Sequence, residues 1–303
     1  MSDHLKKNKG FKKWWTMLRP HTLTASFVPV TLGTALALPI GRVHLLLFLA
    51  MLVASMFIQI ATNLFNEYFD FKRGLDSHES VGIGGSIVRD GFKPKTILHL
   101  AYAFCLVSAF IGIYICIASN WWIAVIGTIC MLTGYFYSAG PFPIAYTPFG
   151  ELASGLFMGV FIILISFFIQ TNTITIDSIL ISVPIGLLVG GINMANNIRD
   201  LDRDKEKGRF TLPILIGRKK AIILLAGLFI ISYLWIIGLM LLHVESVWTL
   251  VVFASLPKAY KATKLFRGKT KSIQLMPAMK ATAQMQTAFG FLLSLGIVLD
   301  HFI

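Results

Sequence analysis

The chain has 303 residues, of which 56% are hydrophobic and only 14% charged, whereas charged residues make up about a quarter of an ordinary soluble domain. One soluble core cannot hide that much apolar surface, so a soluble globular protein is excluded. A formal charge of +13 would suit nucleic acid, but the basic residues lie at the ends of apolar runs, which disfavours a nucleic-acid partner and points to a lipid bilayer.

Residues 1–18 open the chain as a basic segment carrying Lys6, Lys7, Lys9, Lys12 and Lys13. Such a segment beside a span is attracted to anionic headgroups. Apolar runs then recur at 21–39, 44–69, 97–118, 121–139, 151–170, 176–198, 221–242, 246–258 and 281–302. A run of about 20 residues crosses a hydrocarbon layer about 30 Å thick as a helix. The fold class predicted is therefore an all-α integral membrane protein with about nine transmembrane helices in a single domain over 1–303, the eighth span being short. The first run is too long for a signal peptide and is followed by further spans, so no cleaved segment is expected. Cys105, Cys116 and Cys130 fall within spans 3 and 4, where free thiols act as small apolar groups.

With a cytoplasmic N-terminus, every Lys and Arg except Arg42 lies on the cytoplasmic side, which is the positive-inside pattern of a multi-pass cell-membrane protein. The long polar segments, 70–96, 140–150, 199–220 and 259–280, then all face the cytoplasm. Chemistry is expected there. The first contains the glycine-rich stretch with Gly82, Gly84 and Gly85, and the third is dense in charge.

An internal echo links two of the spans. Asn63, Asn66 and Asp70 at the end of span 2 repeat as Asn193, Asn196 and Asp200 at the end of span 6. The same displacement places span 1 on span 5, so spans 1–4 and 5–8 read as parallel pseudo-repeats, an arrangement also met in transporters.

On a helix, residues three and four apart share a face. Asn193, Asn197, Asp200 and Asp204 therefore form one stripe, as do Asn63, Asn66 and Asp70, while Asp202 should point away. Asp76 is off its stripe unless the helix breaks, and Gly74 offers the break. Polar residues at membrane depth are expensive and functional by default. Two facing carboxylate clusters flanked by Lys72, Arg73, Arg199, Arg203, Lys205 and Arg209 suit a magnesium-bound diphosphate, since Mg²⁺ takes oxygen ligands from one or two carboxylates and from substrate phosphates. For Lys72, Arg73, Arg203 and Lys207 individually, the positive-inside pattern is an equal explanation.

The stretches NEYFDFKRGLD (66–76) and NNIRDLDRDKEKGRFTL (196–212) resemble the two aspartate-rich motifs of the UbiA-type intramembrane prenyltransferases. RPHTL (19–23), YSAGPFPIAYTPFGE (137–151) and PAMKATAQMQT (277–287) extend the resemblance over nearly the whole chain, most similar to the menaquinone branch. The resemblance implies helices around a central cavity with a cytoplasmic cap. It also implies catalytic Asn66, Asp70, Asp76, Asn197, Asp200 and Asp204, with Mg²⁺ held by Asp70, Asp76, Asp200 and Asp204. The substrates it implies are an allylic polyprenyl diphosphate and an aromatic acid, 1,4-dihydroxy-2-naphthoate, prenylated with loss of carbon dioxide. Phe210 stands where the family pattern leads one to expect Lys, which removes a basic contact but not the metal site.

Other polar residues carry two readings each. Tyr135 and Tyr137 are interfacial anchors or contacts to diphosphate or acceptor, and Glu151 is a helix-start carboxylate or part of the site. Arg19 and His21 face either headgroups or the acceptor carboxylate. His78 with Glu79 resembles a metal pair only superficially, and Lys280 has no role that spacing assigns. A secondary transporter and a structural membrane scaffold stay open as alternatives. Transporter sites lie near the bilayer midplane, whereas these clusters lie at its margin.

Overall fold

The computed structural model describes residues 10–76 and 85–303, all helix and connecting turns. Lys6, Lys7, Lys9, His78, Glu79, Gly82 and Gly84 lie outside the described residues. The helices are α1 (Gly10–Met17), α2 (Thr24–Ala35), α3 (Leu45–Lys72), α4 (Pro94–Ala118) and α5 (Trp122–Ser138). They continue as α6 (Gly150–Thr171, with a π-helical stretch at Gly155–Val160), α7 (Ile176–Glu206), α8 (Leu212–Ile216), α9 (Arg218–Leu241), α10 (Leu256–Phe266) and α11 (Ser272–Phe302). The helix α10 is entered through a 3₁₀ helix, Val247–Ser255.

Among the described residues six helices (α3, α4, α6, α7, α9 and α11) are long and apolar enough to cross a membrane, and α5 is a shorter apolar helix. The expected first and eighth spans are not long single helices. Helix α2 gives way to turns before Pro39, whose ring cannot continue a helix. The eighth crossing changes from 3₁₀ to α at Leu256–Pro257, where Pro at the first turn gives up an N–H that would be unpaired anyway. It extends to Phe266, well past the expected end at 258.

The largest core cluster joins α2, α6, α7, α9, α10 and α11 around Leu32, Ile163, Ile185, Leu225, Phe289 and Leu293. A second packs α3 on α4 around Leu64, Phe65, Ile97 and Ala101. Large apolar side chains on the outward faces, such as Phe110, Ile117, Ile223 and Leu234, remain exposed, as expected of surfaces solvated by lipid rather than water. Helix α1 adds an exposed apolar edge of Phe11, Trp14 and Trp15, suited to a bilayer interface. Its Trp14 meets Phe92 edge-on at 4.8 Å.

Three of the long polar segments are tied together at one end of the bundle. Arg73 donates to the carbonyl oxygens of Ser138 and Gly140 at 2.6 and 2.8 Å. The Phe210 N–H donates to the Tyr146 carbonyl at 2.8 Å, and the Ile87 N–H to Glu67 Oε1 at 2.9 Å. These bonds hold a cap of loops over the mouth of the bundle.

Candidate active site

A central cavity of about 1370 Å³ runs from this cap, where Asn66, Asp70, Asp76 and Asp200 line it, to Trp121 and Ile123 at the other end of α5. Helix α3 ends at Lys72 and Gly74 takes φ +70, a conformation that only glycine adopts without strain. The chain turns there, and Asp76 returns to the wall shared with Asp70. Helix α7 continues unbroken to Glu206, well past the end of the apolar run at 198. Its helical geometry buries Asn197, Asp200 and Asp204, while the Asp202 side chain turns away, 67% exposed, to pair with Arg218 at 2.9 Å.

Arginines stand between the two clusters. Arg209 reaches back to Asp70 at 2.7 Å and to Asp204 at 3.4 Å, so that one guanidinium links the ends of α3 and α7. Asp204 lies behind the wall at 2% exposure. Arg199 grips Asp200 with two N–H groups, Nε at 2.9 Å, and rests on Met276 and Met279 of α11. Arg203 approaches Asp200 at 3.3 Å. Burial, followed by the neighbouring Asp70, pushes the Asp76 carboxyl up to about 6.

The amides are anchored from neighbouring helices. Asn63 donates to Thr22 Oγ1 at 2.8 Å, Asn66 to Ser138 Oγ at 3.2 Å and Asn197 to Glu151 Oε1 at 2.8 Å. With Nδ2 so occupied in Asn66 and Asn197, the opposite oxygen of each amide is left for the cavity that both residues line. Asn193 and Tyr137 line it beside Gly150.

The remaining candidates separate from the cavity. Tyr135 lies in an aromatic cluster with Phe65 at 5.1 Å and Phe69 at 6.0 Å instead of on the wall. Lys72 and Lys205 are exposed on the outside of the cap. Arg73 serves the cap through its two carbonyl bonds and stacks over Tyr146. Glu151 is buried and holds Asn197, with its Oε2 unpartnered among the described residues. Sequence reasoning passes over Glu67, which is 1% exposed and holds both the Ile87 N–H and, at 3.5 Å, Arg19. Its signal is a carboxylate one place off the Asn/Asp stripe, inside a span. Phe210 is exposed and takes part in the cap through its backbone alone.

The model of the UbiA prenyltransferase family matches residues 26–277. The chain belongs to that family. It is 58% identical over 288 residues to the 1,4-dihydroxy-2-naphthoate octaprenyltransferase of Bacillus subtilis (strain 168), covering 95% of this chain and 93% of the relative. Against the enzyme of that name from Escherichia coli (strain K12), it is 24% identical over 294 residues, 95% and 96% of the two chains. Among solved structures, a UbiA homolog from Archaeoglobus fulgidus bound to DMAPP and Mg²⁺ aligns with TM-score 0.67 at 17% identity, over 93% of this chain and 99% of that one. An apo UbiA homolog from Aeropyrum pernix K1 aligns with TM-score 0.68 at 15% identity, over 93% and 98%. This UbiA-family chain is a multi-pass membrane prenyltransferase, and the transporter and scaffold alternatives fall away.

Proposed function

We propose that the chain transfers a polyprenyl group from an allylic polyprenyl diphosphate to 1,4-dihydroxy-2-naphthoate, with loss of carbon dioxide, in menaquinone biosynthesis. The observation that carries this reading is the 58% identity, over nearly the full length of both chains, to the Bacillus subtilis enzyme. The reaction would take place at the carboxylate end of the cavity, with Asp70, Asp76, Asp200 and Asp204 as the metal-holding residues.

Among the described residues no three carboxylates converge into a closed metal cage. The donor set nevertheless fits magnesium, which keeps waters and needs only one or two carboxylates when phosphate oxygens complete its shell. When bound, Mg²⁺ would supply Lewis-acid stabilisation of the departing diphosphate.

The chain's own residues account for the rest. Arg203 and Arg209, now on carboxylates, are placed to turn onto phosphate oxygens, where charge develops as the C1–O bond of the donor breaks. The Asn66 and Asn197 amides are held in one orientation by Ser138 and Glu151, so they need no rearrangement when substrate enters. The ring attacks C1, and the electron pair of the ring–carboxylate bond returns to the ring as carbon dioxide leaves. Apolar residues including Met51, Ile58, Ile115, Phe157 and Met158 line the deeper cavity. They accept the prenyl tail and keep water from an allylic cation that it would quench.

We also read 1–303 as one domain of two parallel repeats with the cap on the cytoplasmic side. Supporting the repeats, Glu67 of α3 is tied to Arg19 just before α2, and Asn197 of α7 to Glu151 at the start of α6. Purified protein given polyprenyl diphosphate, Mg²⁺ and carboxyl-labelled 1,4-dihydroxy-2-naphthoate should release labelled carbon dioxide and pyrophosphate in equal amounts, with 4-hydroxybenzoate a poor acceptor. Product from 4-hydroxybenzoate and none from the naphthoate would overturn the acceptor assignment.

A further inference from the structure

Six cationic side chains line the cavity: Arg19, Arg199, Arg203, Arg209, Lys258 and Lys280. Each arginine already faces a carboxylate: Arg19 faces Glu67, Arg199 and Arg203 face Asp200, and Arg209 faces Asp70. Lys258 and Lys280 differ, since neither has an ion pair or side-chain hydrogen bond among the described residues.

The two lysines stand on helices that pack against each other, α10 and α11, joined by the short loop 267–271. Lys258 is eight residues before the end of α10 at Phe266, and Lys280 is eight residues after the start of α11 at Ser272. At 1.5 Å per residue both lie about 12 Å below the loop, so the hairpin sets them at equal depth. Lys280 adjoins Met279, whose sulfur is 2.8 Å from Arg199 Nη1. Both lysine side chains are exposed and line the cavity whose mouth Asp70, Asp76 and Asp200 line.

Two ammonium groups without a counter-ion on neighbouring helices of one cavity wall repel each other and attract an anion. The diphosphate is already provided for by the aspartates, their metal and the arginines at the mouth. The reaction proposed above has one further anion, the carboxylate of the acceptor ring, and four of the six cations lining the cavity are engaged. We infer that Lys258 and Lys280 seat the carboxylate of the aromatic acid acceptor and set the enzyme's preference for an acid over the same ring without its carboxylate. The inference rests on the proposed function for the identity of that acid.

Binding to full-length protein loaded with Mg²⁺ and a non-reacting thiolodiphosphate analogue of the donor tests it without turnover. Lys258→Met and Lys280→Met should each weaken 1,4-dihydroxy-2-naphthoate at least about tenfold, the scale of one lost hydrogen bond to a charged group. Affinity for 1,4-dihydroxynaphthalene and for the donor analogue should stay within about twofold, because neither needs the seat. Lys280→Arg should restore most of the acid affinity. Retained donor binding shows that each variant is folded. Unchanged acid affinity, an equal loss for acid and carboxylate-free ring, or a loss confined to the donor would each overturn the assignment. Failure of the wild-type protein to turn over the naphthoate while the acid affinity still depends on the lysines would instead count against the proposed function alone.

Discussion

Asp200, Asp202 and Asp204 lie within five residues and carry the same charge, yet the turn of α7 gives them different surroundings. The buried pair faces the arginines and Asp70, while Asp202 meets Arg218 on the outside. Asp200→Asn and Asp204→Asn should lower prenyl transfer by on the order of 10²–10³ fold, the scale of losing a preorganised charge contact. Asp202→Asn should keep most of the activity, since an exposed ion pair contributes at most about 1 kcal/mol. Assays at matched membrane levels check this, and equal losses at all three positions would sink the one-face geometry. At the opposite end of the bundle, burial, followed by Asp300 and Asp177, pushes the Glu245 carboxyl up to about 7. A carboxyl raised in the folded state from 4.5 binds protons preferentially on folding. Its contribution to stability therefore falls as pH rises from about 4.5 to about 7 and is levelled by Glu245→Gln. Thermal unfolding of the two proteins across that range should show the difference shrink toward acid pH.

The helices α6 and α7 approach closely enough for glycine to be required at their crossing. A Cβ on Gly159 would stand 2.6 Å from the Gly186 Cα, and one on Gly155 2.5 Å from the Gly186 carbonyl oxygen. Gly159→Ala must force the backbones apart within the π-helical stretch, which should cost about 1–3 kcal/mol as overpacking does. Gly227→Ala, where a Cβ meets nothing within 4 Å, should leave the melting temperature unchanged or slightly raised. Hydropathy alone makes most of these elements legible in the sequence, because a span must be apolar over its whole length. The Asn/Asp stripes are legible because helical spacing determines which side chains share a face. What periodicity cannot show is a partner distant in sequence. Arg209 meets Asp70 across 139 positions, and Asn197 meets Glu151 across 46, so spacing shows Arg209 only as one of several basic residues flanking the carboxylates and Glu151 as a helix cap. The place of Tyr135 off the cavity wall is hidden for the same reason, since its neighbours Phe65 and Phe69 belong to another helix. The 3₁₀ course of 247–255 has no composition that differs from an α-helical span.

The molecule as a whole gathers its charged cap at one end and a long apolar cavity beneath it, so the direction of insertion decides where substrates arrive. The side on which basic residues concentrate predicts a cytoplasmic cap. A cysteine introduced at Thr173 should react with an impermeant thiol reagent added to intact cells, and one at Lys207 should not. The native cysteines lie in spans, and both test positions are exposed in the structure. Reversed labelling would invert the assignment. The salt bridge from Arg209 to Asp70 and Asp204 bears on the order of events at that mouth. A guanidinium resting between two acidic helix ends is a built-in competitor for divalent cations, and it yields best to a ligand that offers phosphate oxygens in exchange. Magnesium alone should therefore bind weakly and the metal–diphosphate complex tightly, which makes loading concerted. Calorimetric titration of Mg²⁺ with and without a donor analogue should show this synergy, and Arg209→Gln should abolish it.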